Sequence, residues 1–174
     1  MVGVKRAGRI ATCCGDNQLP RGGFSGWITD DAILVTSRDS LQSREDVYHA
    51  VSLIDGQQIE LARAFGCARV VFNDGLRLRQ QAHEMGEKYL SDAELSKRVI
   101  TEAKLTPQRA WLSGVSAVVL QQARADLNTA YRNFFASISG KRKGRKVASP
   151  RFRSRKDNQQ AIRFTKNSRF KVCD

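Results

Sequence analysis

The stretch SAVVLQQARADLNTAYRNFFASI (116–138) decides the fold class, because its apolar residues recur at three- and four-residue steps. This spacing places them on one face of an α-helix. The charged residues Arg124, Asp126 and Arg132 fall between them, and Gly140 is typical of a helix C-terminus. We therefore predict a long amphipathic helix with its apolar stripe in a core. The stripe consists of Leu120, Ala123, Leu127, Ala130, Tyr131, Phe134 and Ile138.

Helical patterns also occupy the residues before this stretch. Apolar spacing over 57–87 predicts either two helices or one helix bent near Gly66. Ser91 and Glu94 have the spacing of a capping box, in which the serine hydroxyl accepts from the third amide of a helix. A helix over residues 92–103 is therefore expected.

Strand signals are few and short. AILVT (32–36) has an apolar centre, and residues 161–165 and 169–172 alternate around a turn at Asn167-Ser168. Together with the helical patterns, these segments predict a mainly α protein with a few short β-strands.

The positive charge is concentrated at one end of the chain. The net charge is +13, and residues 123–174 contribute +12 of it, with 15 Lys and Arg against three acids. A basic block of this kind favours contact with phosphates, because it displaces counterions that are condensed on DNA or RNA. The alternative is a solvated basic tail.

Other classes of protein are disfavoured. No run approaches the 18 apolar residues of a membrane span, and no apolar segment follows the basic N-terminus, so a cytoplasmic protein is expected. His49 and His83 are isolated and no CxxC pair is present, so no metal site is predicted. The cysteines are Cys13, Cys14, Cys67 and Cys173.

Three blocks in the sequence resemble the OrfB/TnpB family of transposon-encoded proteins. They are FGCARVVFNDGL (65–76), WLSGVSAVVLQQARADLNTAYRNFF (111–135) and SPRFRSRKDNQQAIRFTKN (149–167). The blocks occur in the order and with the gaps that are typical of the family.

The resemblance implies the N-terminal portion of an RNA-guided DNA nuclease. In the family this portion is a wedge-type β-barrel with a helical insert, also described as a helix-turn-helix. A RuvC-like nuclease domain with three acidic metal ligands and a zinc ribbon follows it. Here neither a RuvC motif nor a CxxC pair is found, so the resemblance implies truncation before that domain. We expect an incomplete barrel, no catalysis and no cofactor in this chain.

Three segments are predicted on this basis. Residues 1–50 form a weakly ordered leader without a family counterpart, and residues 51–139 form the helical OrfB/TnpB region. Residues 140–174 form a basic loop and an incomplete β segment.

Candidate nucleic-acid-binding residues lie mostly in the last segment. In an extended chain Arg151, Arg153 and Arg155 would share one face as a phosphate-binding rail, while Phe152 would anchor the rail in a core from the opposite face. The remaining cations suit phosphate contact. The complete set is Gln121, Lys141, Arg142, Lys143, Arg145, Lys146, Arg151, Arg153, Arg155, Lys156, Thr165 and Lys166.

The resemblance assigns a different role to three of these residues. Gln121, Thr165 and Lys166 match family positions that contact DNA beside the target, although Gln121 could equally be an ordinary polar helix residue. The aromatic residues could stack on bases, but a structural role is favoured, because periodicity places Tyr131 and Phe134 on the apolar stripe. These residues are Trp111, Tyr131, Phe134 and Phe135.

The function predicted first is binding of DNA and guide RNA without catalysis. A nuclease-dead, guide-RNA-dependent regulator has the same sequence features, and so does one chain of a split nuclease whose RuvC-like fragment is encoded separately. A nuclease acting alone is disfavoured, because metal-dependent cleavage needs clustered carboxylates and the acids here are scattered.

Overall fold

The computed structural model describes most of the chain and divides it into two compact units. One unit comprises residues 1–65 together with 156–174, and the other comprises residues 66–155. Side chains are described from Ile59 onward. The described residues are 24–29, 32–36, 49–51, 55–156 and 161–165.

An antiparallel sheet lies in the first unit. Its strands are β1 (Phe24–Thr29), β2 (Ala32–Thr36), β3 (His49–Val51) and β4 (Ala161–Thr165), in the order β3-β1-β2-β4. The strands predicted at 32–36 and 161–165 are confirmed with the same bounds. β2 pairs with β4 in a register that joins Ala32 to Thr165. The described strands therefore form an open sheet, with β3 and β4 at its edges.

Two of these strands, β1 and β3, were not predicted from the sequence. β1 lies within the segment 1–50 that was predicted as a weakly ordered leader, yet it passes through Gly26 and pairs with both β2 and β3. Pairing with two neighbours supplies backbone hydrogen bonds that local propensity does not reveal. The strand predicted at 169–172 and the turn at 167–168 lie outside the described residues.

A single helix, α1 (Asp55–Glu84), runs through Gly66 without a break. Of the two predicted alternatives, two helices or one helix bent near Gly66, the structure has one helix. The helix is followed by Gly86, whose φ of 70° lies in the left-handed region that suits a helix C-terminus.

The helix that follows is shorter than predicted. α2 (Asp92–Ser96) begins after Ser91, whose Oγ accepts from the Glu94 amide at 3.2 Å, as the capping motif requires. The Glu94 carboxylate accepts from Arg98 Nε at 2.6 Å. The chain then continues as a π-helical turn over Lys97–Glu102 and as 3₁₀ turns over Ala103–Leu105 and Ala110–Gly114.

The long helix α3 (Ala117–Ile138) forms the centre of the second unit. Leu120 and Leu127 are completely buried, as predicted, and Gly75 of α1 lies close to Leu127. The stripe ends earlier than its periodicity indicates, because Ile138 is exposed. Buried partners come from every helical segment except the 3₁₀ turn Ala103–Leu105. They include Leu76, Leu95, Val99, Ile100, Leu112 and Val119.

The fold class is therefore mainly α, as the sequence predicted. Among the described residues, none of the helices combines the length and the apolar character needed to cross a membrane.

Candidate nucleic-acid interface

The basic loop, Lys141–Lys146, is attached at two points to the last turn of α3. The Arg142 amide donates to the Ala136 carbonyl at 3.1 Å, and the Val147 amide donates to Ser137 Oγ at 2.9 Å. Two glycines allow the tight course of the chain, since Gly140 has φ 70° and Gly144 has φ 102°. These contacts fix where the loop lies relative to the end of the helix.

All five cations of the basic loop are exposed. In the portion of the chain that the structure describes, none of their side chains forms an ion pair with a carboxylate. Five positive charges within six residues repel one another, so a bound polyanion would relieve a repulsion already present in the free protein.

Arg153 lies against the helical unit rather than pointing away from it. Its guanidinium lies 3.9 Å from the centre of the Phe72 ring, and its Nη2 lies 3.2 Å from Asp126 Oδ2. The Asn73 side chain holds the same residue by its backbone: Asn73 Oδ1 accepts from the Arg153 amide at 2.8 Å, and Nδ2 donates to its carbonyl at 3.0 Å. Arg153 therefore attaches the segment 149–156 to α1 and α3.

The prediction of a rail anchored by Phe152 is wrong. Phe152 is 50% exposed, and Arg153 occupies the inward position that was assigned to the phenyl ring. The predicted alternation does not hold either, because Arg153 alone turns toward the helical unit while Arg151 and Arg155 are exposed. The Asn73 clamp and the Asp126 carboxylate select the face that turns inward, and neither contact can be read from the alternation alone. Arg151, Arg155 and Lys156 are exposed.

Gln121 takes part in a hydrogen-bond network within the helical unit. Its Oε1 accepts from Arg124 Nε at 3.2 Å, and its Nε2 donates to Ser96 Oγ at 3.0 Å. The side chain is half-buried. A base contact by Gln121 would therefore have to replace or share these hydrogen bonds.

The network continues to a buried arginine that the sequence analysis did not identify. Asp92 Oδ1 accepts a hydrogen bond from Arg79 Nη2 at 3.3 Å, and Asp92 Oδ2 forms an ion pair with Arg124 Nη1 at 3.4 Å. The Arg79 side chain is 1% exposed, and its guanidinium lies 4.5 Å from the centre of the Tyr89 ring and 5.1 Å from that of Tyr131. The rings and Asp92 thus compensate the buried charge.

Burial changes the acidity of both tyrosines. It raises the pKa of the Tyr131 phenol, while the nearby Arg79 guanidinium partly offsets this effect. Burial likewise raises the pKa of Tyr89; Arg79 opposes that increase and the Asp92 carboxylate adds to it.

An aromatic patch lies at the C-terminal half of α3. We define it as Tyr89, Tyr131, Phe134 and Phe135, whose ring centres are separated by 5.5–6.0 Å in the contacting pairs. Tyr131 is buried, as expected, but Phe135 is 48% exposed and Tyr89 is 54% exposed. The expectation that Phe135 is a core residue is therefore wrong.

The other predicted residues are distributed across both units. Thr165 ends β4 in the first unit, and Lys166 lies outside the described residues. Trp111 lies in a 3₁₀ turn and is 44% exposed, and its indole Nε1 donates to the Gln108 carbonyl at 2.9 Å. In the described part of the chain, no three His, Cys, Asp or Glu side chains are grouped so as to hold a metal ion.

Comparison with known proteins identifies the helical region. Residues 55–88 match the helix-turn-helix domain of OrfB proteins; here they form α1 and the turn after it. Over these residues the chain is similar to the helix-turn-helix region of OrfB/TnpB proteins.

Two curated relatives extend the similarity beyond this region. A protein of Streptomyces pristinaespiralis, named as a candidate RNA-guided DNA endonuclease, is 39% identical over 114 residues, which are 66% of this chain and 26% of the relative. InsQ of Escherichia coli strain K12, named in the same way, is 33% identical over 108 residues, which are 62% of this chain and 24% of that protein. The chain thus spans about a quarter of the length of these OrfB/TnpB relatives.

Proposed function

We propose that this chain binds nucleic acid and that the basic loop supplies its principal phosphate contacts. The observation that carries the proposal is the placement of five exposed cations in a loop attached to the end of α3. An attached loop loses less conformational entropy on binding than a free tail does, so its charges are effective as a phosphate site.

The similarity to OrfB/TnpB proteins supports this proposal. A helix-turn-helix domain is a DNA-binding element, and both relatives are named for RNA-guided action on DNA. DNA and a guide RNA are therefore the proposed partners.

A salt titration tests the proposal. If the five loop cations neutralise five phosphates, the logarithm of the affinity for duplex DNA should fall with log salt at a slope of about −4.5. Fluorescence anisotropy with a labelled duplex measures this slope. A slope near zero would contradict the proposal.

A pair of double variants separates the loop from the general charge of the chain. Lys143→Gln with Arg145→Gln removes two loop cations and should flatten the slope by about 2. Lys97→Gln with Arg98→Gln also removes two charges, but these cations pair with Glu102 and Glu94, so a change of about 0.5 or less is expected. Equal effects of both variants would show that the loop has no special role.

We further propose that the chain binds one particular RNA and that it does not cleave DNA. Expression in a cell that contains the native locus, followed by sequencing of co-purified RNA, should recover one dominant transcript. The purified chain should leave DNA intact in Mg²⁺ or Mn²⁺, with and without that RNA. Metal-dependent cleavage that follows the chain through successive columns would exclude a purely binding role.

A further inference from the structure

We propose that the aromatic patch and the basic loop together form a site for a nucleic-acid strand with unpaired bases. This inference rests on the proposed function and deepens it, because it specifies which form of nucleic acid the loop favours. The patch would stack against bases while the loop cations contact the phosphates of the same strand.

The attachment of the loop brings the two surfaces together. Phe135 is the residue before Ala136, whose carbonyl holds the Arg142 amide, and Ser137 holds the other end of the loop. The backbone of the basic loop is therefore joined to the same turn of α3 that carries Phe135.

The exposed rings have a packed support. Tyr131 is the buried member of the patch, and its ring centre lies 6.0 Å from that of Tyr89 and 5.8 Å from that of Phe135. Arg79 lies against Tyr89 and Tyr131 on the inner side. Because neighbouring rings restrict their motion, Phe135 and Tyr89 lose little entropy when a base stacks on them.

The charge around the patch favours a polyanion as its occupant. Exposed cations adjoin the two exposed rings: Lys88 precedes Tyr89, and Arg132 lies one helical turn before Phe135. With the basic loop, these cations place positive charge on the segments that carry the two exposed rings, which would oppose a purely apolar protein partner. Aromatic faces beside cations are what a single strand binds, since each unpaired base offers an apolar face and each linkage a phosphate. In a duplex those faces are already stacked.

Phe135→Leu tests the stacking directly. Leucine retains apolar volume but lacks a ring, and the exposed position limits any loss of stability. Affinity for oligothymidylate should fall by about 5- to 100-fold if one base stacks on the ring, while affinity for a duplex with the same number of phosphates changes by less than about twofold. Trp111→Leu removes another exposed aromatic ring outside the patch and should leave both affinities unchanged.

Phe135→Trp supplies a readout that a merely structural role would not change. The variant should bind oligothymidylate as well as the parent does, and its additional indole fluorescence should be quenched by the single strand and not by the duplex. An oligouridylate titration distinguishes the source of the strand: tighter binding of oligouridylate assigns RNA, and tighter binding of oligothymidylate assigns DNA.

The outcomes separate this inference from the proposed function. If the double loop variant weakens binding but Phe135→Leu affects neither probe, phosphate binding stands and the stacking site does not exist. Equal losses on single strand and duplex, or patch-dependent self-association in sedimentation, would also overturn the inference. If the loop variant has no effect on either probe, the proposed function itself fails.

Discussion

Asp92 shows how one residue keeps a buried cation compatible with the helical unit. One of its carboxylate oxygens faces Arg79 and the other faces Arg124, at 3.3 and 3.4 Å. The burial of Arg79 is costly, because its Nε and Nη1 atoms are buried and have no hydrogen-bond acceptor among the described residues. Asp92, the Leu90 carbonyl and the two tyrosine rings therefore stabilise the buried Arg79 guanidinium.

Removal of Asp92 should expose this dependence. Asp92→Ala leaves the Arg79 charge buried without its carboxylate, and we expect the free energy of unfolding to fall by about 1–3 kcal/mol. This loss is smaller than the loss expected when one partner of a fully buried ion pair is removed, because Asp92 is largely exposed and water can replace part of the contact. Urea unfolding followed by circular dichroism measures the change.

Glu102→Ala is the matched control, since it removes a carboxylate from the exposed pair with Lys97. It should change the free energy of unfolding by less than about 0.5 kcal/mol. If Asp92→Ala is equally mild, the rings alone compensate Arg79 and the carboxylate has no stabilising role.

At the scale of elements, α1 contains two glycines that are alike in sequence and different in their surroundings. At Gly66 a Cβ would meet no atom within 4 Å. At Gly75 it would lie 2.9 Å from Leu127 Cδ2, on the fully buried leucine of α3. Gly66 thus only lowers the helix propensity of α1, whereas Gly75 permits close packing between α1 and α3.

Alanine substitution should separate these two roles. Gly66→Ala should raise the free energy of unfolding by about 0.5–1 kcal/mol, because alanine loses less backbone entropy in a helix. Gly75→Ala gains the same local preference but forces Leu127 to shift in a packed core, so we expect no net stabilisation or a loss of about 1 kcal/mol. Thermal unfolding of the two variants gives the comparison, and equal stabilisation would show that α1 and α3 are not closely packed at Gly75.

At the scale of the whole molecule, stability at alkaline pH depends on the aromatic patch. Burial raises the pKa values of Tyr131 and Tyr89 above that of a free phenol, which means that folding favours the neutral ring. The stabilisation is present in full below the pKa of about 10 that the phenols have in the unfolded chain. It is lost as pH rises through the higher pKa values of the folded protein.

The free energy of unfolding should therefore fall as pH rises above about 10, and Tyr131→Phe should reduce this fall because phenylalanine has no proton to lose. Chemical unfolding at a series of pH values measures the effect, and tyrosinate absorbance follows ionisation. A Tyr131→Phe variant with the same alkaline loss as the parent would show that Tyr131 does not cause the loss.

The sequence by itself determined the elements whose signals are local. The three- and four-residue periodicity of α3, the Ser91 cap, the apolar centre of β2 and the alternation in β4 were all sufficient, because each depends on neighbours within one turn or one strand. The concentration of positive charge in residues 123–174 was equally plain.

Only the tertiary structure decided which faces turn inward and which strands meet. Arg153, rather than the expected Phe152, turns inward because of its contact with Asn73, which is 80 residues away in sequence. The pairing of β2 with β4 and the joining of Arg79 to Asp92 likewise require contacts between distant segments. Periodicity specifies that two faces differ, but the free energy of non-local contacts selects the face that is buried.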